Sequence, residues 1–207
     1  MASRCRQRAG SRVRPLRTAI LISGRGSNMM ALVDSARAPG FPAKIVVVIS
    51  NRPDAAGLDF ARVNGIEAVT LDHKAFPSRE TFEKALDEIL RARNIDLVAC
   101  AGFMRVMTPW LTSRWRGRMI NIHPSVLPAY KGLHTHERVL ADGAKTHGCT
   151  VHYVTAELDD GEIIAQVEVP VLPGDTADSL AARVLVEEHR LYPGALAKAA
   201  RAQAKMS

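Results

Sequence analysis

The stretch Thr18-Ala19-Ile20-Leu21-Ile22-Ser23-Gly24-Arg25-Gly26-Ser27-Asn28 decides the fold. Its first six residues are apolar or β-branched on both faces, the mark of a strand buried in a parallel sheet. Two glycines separated by an arginine then turn the chain, and helical spacing begins at Asn28 and runs to Ala38. Strand, glycine turn, helix is the opening of a βα unit. The same alternation continues downstream: Lys44 to Ser50, Asp96 to Cys100 and Met119 to Ile122 read as strands, and Ala55 to Gly65 and Arg79 to Arg93 as helices. In the last of these Ser78 caps, Glu80 faces the positive end of the dipole, and Phe82, Leu86, Ile89 and Leu90 share one face. After about Gly148 the pattern changes to alternating runs, Cys149 to Val154 and Ile163 to Val169, expected to pair as late strands at one end of the sheet. A helix from about Thr176 to Leu191, capped by Asp175, is expected to close the domain. The fold class is therefore α/β: one domain, a mostly parallel twisted sheet of Rossmann-like type with flanking helices and antiparallel late strands.

Composition sets the outer limits. The chain has 207 residues, 47% hydrophobic and 24% charged, enough for one ordinary globular core and unlike disordered or collagen-like sequences. Three widely spaced cysteines, Cys5, Cys100 and Cys149, do not make a disulfide framework and point to a reducing compartment, hence a cytoplasmic location. No apolar run reaches the roughly 18 residues of a membrane helix. The basic N-terminus lacks the apolar segment of a secretory signal. The net charge of +7 is concentrated there: residues 1–17 hold six of the 28 Lys and Arg and no acid, and the remainder carries 22 bases against 21 acids. The expected organisation is a basic, disordered extension at 1–17, the folded domain at 18–200 and a C-terminal tail at 201–207. Such an extension also suits nucleic-acid binding or organelle targeting, although no aromatic residue is interleaved for base stacking.

Three motifs carry chemistry. Gly24-Arg25-Gly26-Ser27-Asn28 opens a helix, where free N–H groups and the dipole favour a phosphate. Met29 stands where a dinucleotide fingerprint has its third glycine, Ser50 and Asn51 stand where its acid after the second strand would be, and no Lys-Ser or Lys-Thr pair follows the glycine turn. What remains is a mononucleotide or sugar-phosphate site, or simply a tight strand-to-helix turn. Asn121-Ile122-His123-Pro124-Ser125 ends a central strand, where open α/β sheets bind ligands. Asn121 and His123 are two apart and project to one side, an arrangement suited to a developing oxyanion and equally open to a structural pair. Thr155 to Gly161 is an acidic loop. A carboxylate from it beside an imidazole would raise the imidazole pKa above its usual value of about 6.5, but a solvated turn has the same composition. His134, His136 and His152 could be read as a metal set, but no Cys or carboxylate stands at ligand spacing, so no metal is expected. Trp110 and Trp115 read as packing, Cys100 as a buried small hydrophobe, and Ser125 lacks the glycine elbow of a hydrolase.

These motifs, with Ser78-Arg79-Glu80, Ala101-Gly102-Phe103-Met104-Arg105, Gly132-Leu133-His134-Thr135-His136, Cys149-Thr150-Val151-His152, Glu157-Leu158-Asp159 and Glu187-Glu188-His189, occur in an order that resembles the folate-dependent phosphoribosylglycinamide formyltransferases of purine synthesis, from about Thr18 to Leu191. The resemblance implies formyl transfer from 10-formyltetrahydrofolate to the amine of phosphoribosylglycinamide. It implies Asn121, His123 and Asp159 as catalytic residues, with Asp159 keeping His123 charged. Gly26, Ser27 and Asn28 would hold the substrate phosphate and Glu188 the ribose. Folate would lie against Arg79, Met104, Arg105, Val106, Met107 and Asn121, near the Asp159 loop, with His152 in support. Its partners would be these small molecules, with neither membrane nor nucleic acid, in a monomer or homodimer. Arg25 stands where relatives carry a smaller or uncharged residue, and Lys131 where proline is common. Related folate enzymes share the Asn-x-His core: the transfer-RNA formyltransferases add a C-terminal domain, and the formyltetrahydrofolate hydrolases an N-terminal one. Hydrolysis on the same core is the alternative reaction, and nucleic-acid binding through the basic extension the alternative class.

Overall fold

The computed structural model describes residues 14–205. Seven strands form one sheet in the order β3-β2-β1-β4-β5-β6-β7: β1 Leu16–Ile22, β2 Ala43–Ser50, β3 Glu67–Thr70, β4 Leu97–Cys100, β5 Met119–His123, β6 Thr146–Tyr153 and β7 Ile163–Pro170. β1 to β5 pair in parallel, and β6 and β7 join them antiparallel. The helices are α1 Ser27–Ala36, α2 Gly57–Val63, α3 Arg79–Ala92, α4 Pro109–Arg114, α5 Thr135–Ala141 and α6 Ala177–Ala204.

Alternation along β1 sorts the core into two layers. Ile20 and Ile22 pack with Met29 and Leu32 of α1, Leu58 of α2 and Tyr192 and Leu196 of α6. Ala19 and Leu21 face the other way, toward Phe82, Leu86 and Leu90 of α3 and Leu111 and Trp115. Both faces of the strand are thus covered, as its continuous apolar run requires. The chain builds outward from β1 to β3, then crosses back to β4. Between β1 and β4 the connections therefore leave in opposite directions, which opens a crevice at the carboxyl ends of the strands.

Several expectations are corrected. α6 does not stop at Leu191: it continues through Pro193 to Ala204, because Ala195, Leu196, Ala199 and Ala200 bury a face that outweighs the lost main-chain bond. Its cap is Thr176, in a reciprocal box with Ser179, while Asp175 accepts from Leu172 N and pairs with Arg183. The end of the domain expected at residue 200 thus lies within a helix. The boundary expected at residue 17 falls inside β1, and two of the six N-terminal arginines are fastened to the domain: Arg14 pairs with Asp96, and Arg17 Nε donates to Arg93 O. The rest of the extension expected over 1–17, residues 1–13, lies outside the described residues. β3 has no apolar run to announce it, since this short edge strand is largely exposed. α4 and α5, of six and seven residues, are too short to show a period.

Candidate active site

The catalytic candidates come together at the end of β5. Asn121 and His123, two residues apart on one strand, open into a cavity of about 560 Å3 lined also by Gly102–Met107, Leu133–Glu137, His152 and Val154–Asp159. β6 runs antiparallel with Asn121 opposite His152, so that a second imidazole enters the same side. The loop after β6 then returns Asp159 to both histidines. Its Oδ2 lies 3.3 Å from His123 Nδ1 and its Oδ1 3.6 Å from His152 Nε2. Gly132 N–H donates to Asp159 Oδ2 at 2.9 Å, tying this loop to the one before α5.

The proton inventory follows from partners. His123 Nε2 donates to Tyr130 O at 3.0 Å and Nδ1 faces a carboxylate, so only the imidazolium donates in both directions. Burial pushes the His123 pKa below its ordinary value. The Tyr130 carbonyl and Asp159 pull upward, His152 and Arg138 push down, and the net direction is down. The expectation that Asp159 lifts this pKa above its usual value is therefore corrected: desolvation outweighs the carboxylate. Asp159 itself is also buried, which opposes ionisation. The bonds from His152 and Gly132 N and the charge of His123 outweigh that and hold its pKa below the usual carboxylate value. His152 Nδ1–H is given to Tyr153 O at 2.9 Å, and Nε2 sits between Asp159 Oδ1, 3.6 Å away, and the Asn121 amide, 3.4 Å away.

Three of the four non-glycine residues with left-handed backbone among the described residues, Tyr130, His134 and Asp159, belong to these loops. Strain of this kind persists where surrounding contacts impose it, and it clusters at functional sites.

The glycine turn forms a neighbouring group. Gly26 caps α1 with φ 74°, and Asn28 Nδ2 donates to Glu188 Oε2 at 2.6 Å. Burial pushes the Glu188 carboxyl up, against the bond from Asn28. Asn28 Oδ1 and His189 Nε2 are buried without a hydrogen-bond partner. Gly57 sets how closely α2 meets this turn: a Cβ there would lie 2.6 Å from Ile22 Cδ1 and 3.1 Å from Arg25 O. Sequence spacing had not marked it.

Met104, Arg105, Val106 and Met107 line the cavity, with Met104 71% and Val106 53% exposed. Arg79 sits on the exposed first turn of α3 and is not among the residues that line this cavity. The histidines weighed as a metal set take separate partners, His134 with Glu137, His136 with His147 and His152 with Asn121. Lys131, where the sequence departs from the family pattern, pairs with Asp160 across the two loops, and Arg25 is exposed. Cys100 and Cys149 are buried free thiols whose pKa values burial pushes up to about 12, so neither is a nucleophile at neutral pH.

An amide and an imidazole converging at a strand end, backed by a buried carboxylate, define an α/β protein equipped for acyl-group transfer. The formyl transferase family model matches residues 16–196, and the chain belongs to that family. It is 45% identical over 174 residues to the phosphoribosylglycinamide formyltransferase of Escherichia coli, covering 84% of this chain and 82% of that one. It is 48% identical over 180 residues to the trifunctional purine biosynthetic protein adenosine-3 of Bos taurus, of whose length it spans 18%. The crystal structure of phosphoribosylglycinamide formyltransferase from Brucella melitensis superposes with a TM-score of 0.87 at 50% identity, covering 90% of this chain and 96% of that one.

Proposed function

We propose that this enzyme transfers the formyl group of 10-formyltetrahydrofolate to the amine of phosphoribosylglycinamide, giving formylglycinamide ribonucleotide and tetrahydrofolate. The observation that carries the reading is the convergence of Asn121, His123 and Asp159 in one cavity, in a chain that resembles named formyltransferases over nearly all of its described length. The amine lone pair attacks the formyl carbon, and the carbonyl electrons move onto oxygen. Asn121 Nδ2 and a His123 N–H released from Tyr130 O stabilise that oxyanion. The attacking nitrogen then loses a proton, with Asp159 as the base through a bridging water. As the oxyanion collapses, the bond to folate N10 breaks and N10 takes up a proton. The turn Gly26-Ser27-Asn28 binds the phosphate, Glu188 a ribose hydroxyl, and the Met104–Met107 stretch the folate.

Both substrates are small molecules, and no helix among the described residues is long and apolar enough to cross a membrane. The buried free thiols suit a reducing cytoplasm. The test is a spectrophotometric assay of folate deformylation by the full chain. The account expects deformylation to require phosphoribosylglycinamide; an equal rate without it would assign hydrolysis instead.

A further inference from the structure

Ser23 is the last residue before the glycine turn and is 6% exposed. Three hydrogen bonds meet on it. Its N–H donates to Gly102 O at 3.1 Å, its hydroxyl donates to Asn51 Oδ1 at 2.5 Å, and its Oγ accepts Met104 N–H at 2.8 Å. A serine hydroxyl has one proton. With that proton committed to Asn51, the oxygen lone pair is directed to Met104. Asn51, itself 3% exposed and just past β2, is held in turn by His73: its main-chain carbonyl accepts from His73 Nδ1 at 2.8 Å, and its side-chain Nδ2 lies 3.2 Å from the same nitrogen.

The other end of the same stretch is also held. Thr108 N–H donates at 2.7 Å to Oε1 of Glu83, a carboxylate buried on α3, and the Thr108 hydroxyl bonds its Oε2. Between these two anchors, the main-chain groups of Arg105, Val106 and Met107 make no hydrogen bond among the described residues. Met107 packs against the core and Arg105 lies over the Phe82 ring at 5.0 Å, but the backbone of this cavity wall, unpaired over three residues, takes its main-chain anchoring from its two ends.

We propose that Ser23, oriented by Asn51, is a positioning residue that holds Met104–Met107 in the shape that receives the folate co-substrate. The inference rests on the folate reading given above. Ser23 touches no reacting atom; it acts through Met104 N. The glycine turn has supports of its own, Gly57 N to Gly24 O and Met30 N to Gly26 O, so loss of the Ser23 hydroxyl falls on the folate side.

The experiment is calorimetric titration of tetrahydrofolate into the full chain, with steady-state kinetics for both substrates. Ser23→Ala is expected to weaken tetrahydrofolate binding roughly tenfold, the scale of one buried N–H left without its acceptor. The KM for 10-formyltetrahydrofolate rises with it, while kcat and the KM for phosphoribosylglycinamide stay within about threefold, as loss of uniform binding requires. Asn51→Asp, which keeps an acceptor for the hydroxyl, is expected to retain affinity, and Asn51→Ala to lose it. That pair decides the matter if Ser23→Ala does not fold. Unchanged tetrahydrofolate affinity in a folded Ser23→Ala, or an equal rise of both KM values, would overturn the proposal and leave the formyl-transfer reading standing. A wild-type chain that does not bind tetrahydrofolate would overturn both.

Discussion

Replacing Asp159 with Asn separates charge from shape at the centre of the site. The amide oxygen still accepts Gly132 N–H, the bond that ties the two loops together, so the loop keeps its seat while the negative charge is lost. At 3.3 Å, an imidazolium and a carboxylate attract by about 5 kcal/mol at an effective dielectric of about 20. If about half of that is expressed in the transition state, the barrier rises by roughly 2.5 kcal/mol, or close to a hundredfold in rate. The direction of the pH effect follows too. His123 is already pushed down by burial, with Asp159 among the groups pulling up. Without the carboxylate its pKa falls further, the protonated form survives only at lower pH, and the falling limb of the kcat profile moves to lower pH. The assay is the spectrophotometric rate of folate deformylation, measured across pH with both substrates saturating. An Asp159→Asn enzyme within about threefold of wild type, or with an unmoved limb, would refute the argument.

His123→Ala is expected to lower turnover by at least about a hundredfold, the scale of losing an oxyanion donor, with the fold unchanged by circular dichroism. Gly57→Ala would push a methyl to within 2.6 Å of Ile22 Cδ1; about 1–3 kcal/mol of stability and a raised KM for phosphoribosylglycinamide are expected, read by thermal melting and kinetics. Asp87 is buried and accepts from Trp115 Nε1 at 3.0 Å and from Arg114 Nε, so Asp87→Ala should lower the melting temperature by several degrees without moving either KM. His147 is buried against His136 and its pKa is pushed down to about 4 by burial first. Its contribution to stability is complete above about pH 6.5 and is lost as pH falls toward 4, by at most about 3 kcal/mol. A His147→Gln chain should show a flatter melting profile across that window.

Much of the fold is legible because α3 keeps the helical period over fourteen residues, while β1 is a short run apolar on both faces, as a strand inside a parallel sheet is. Phe82, Leu86 and Leu90 of α3 point where spacing puts them. Short elements fail that test: β3 is an exposed edge, and α4 and α5 make two turns or fewer. Pro193 reads as a stop, yet α6 passes it because tertiary burial outweighs local propensity. The site divides similarly. Asn121 and His123 share a side by the two-residue period of a strand, which is local information. Asp159 reaches them only through the register of β5 on β6 and the return of a loop, so spacing could name the loop but not the encounter. The same register places His152, and the same non-local packing makes Ser23, Asn51 and Glu83 supports of the cavity wall. Burial, which sets the direction of the His123 pKa, is a property of the packed site that no neighbouring residue in the sequence reveals.

The central claim is where the formyl carbon goes. With 10-formyltetrahydrofolate labelled with carbon-13 in the formyl group, the full chain and phosphoribosylglycinamide, mass spectrometry should find the label on the ribonucleotide amine in step with tetrahydrofolate formation. Label recovered as free formate at the same rate, with the ribonucleotide unlabelled, would contradict the account.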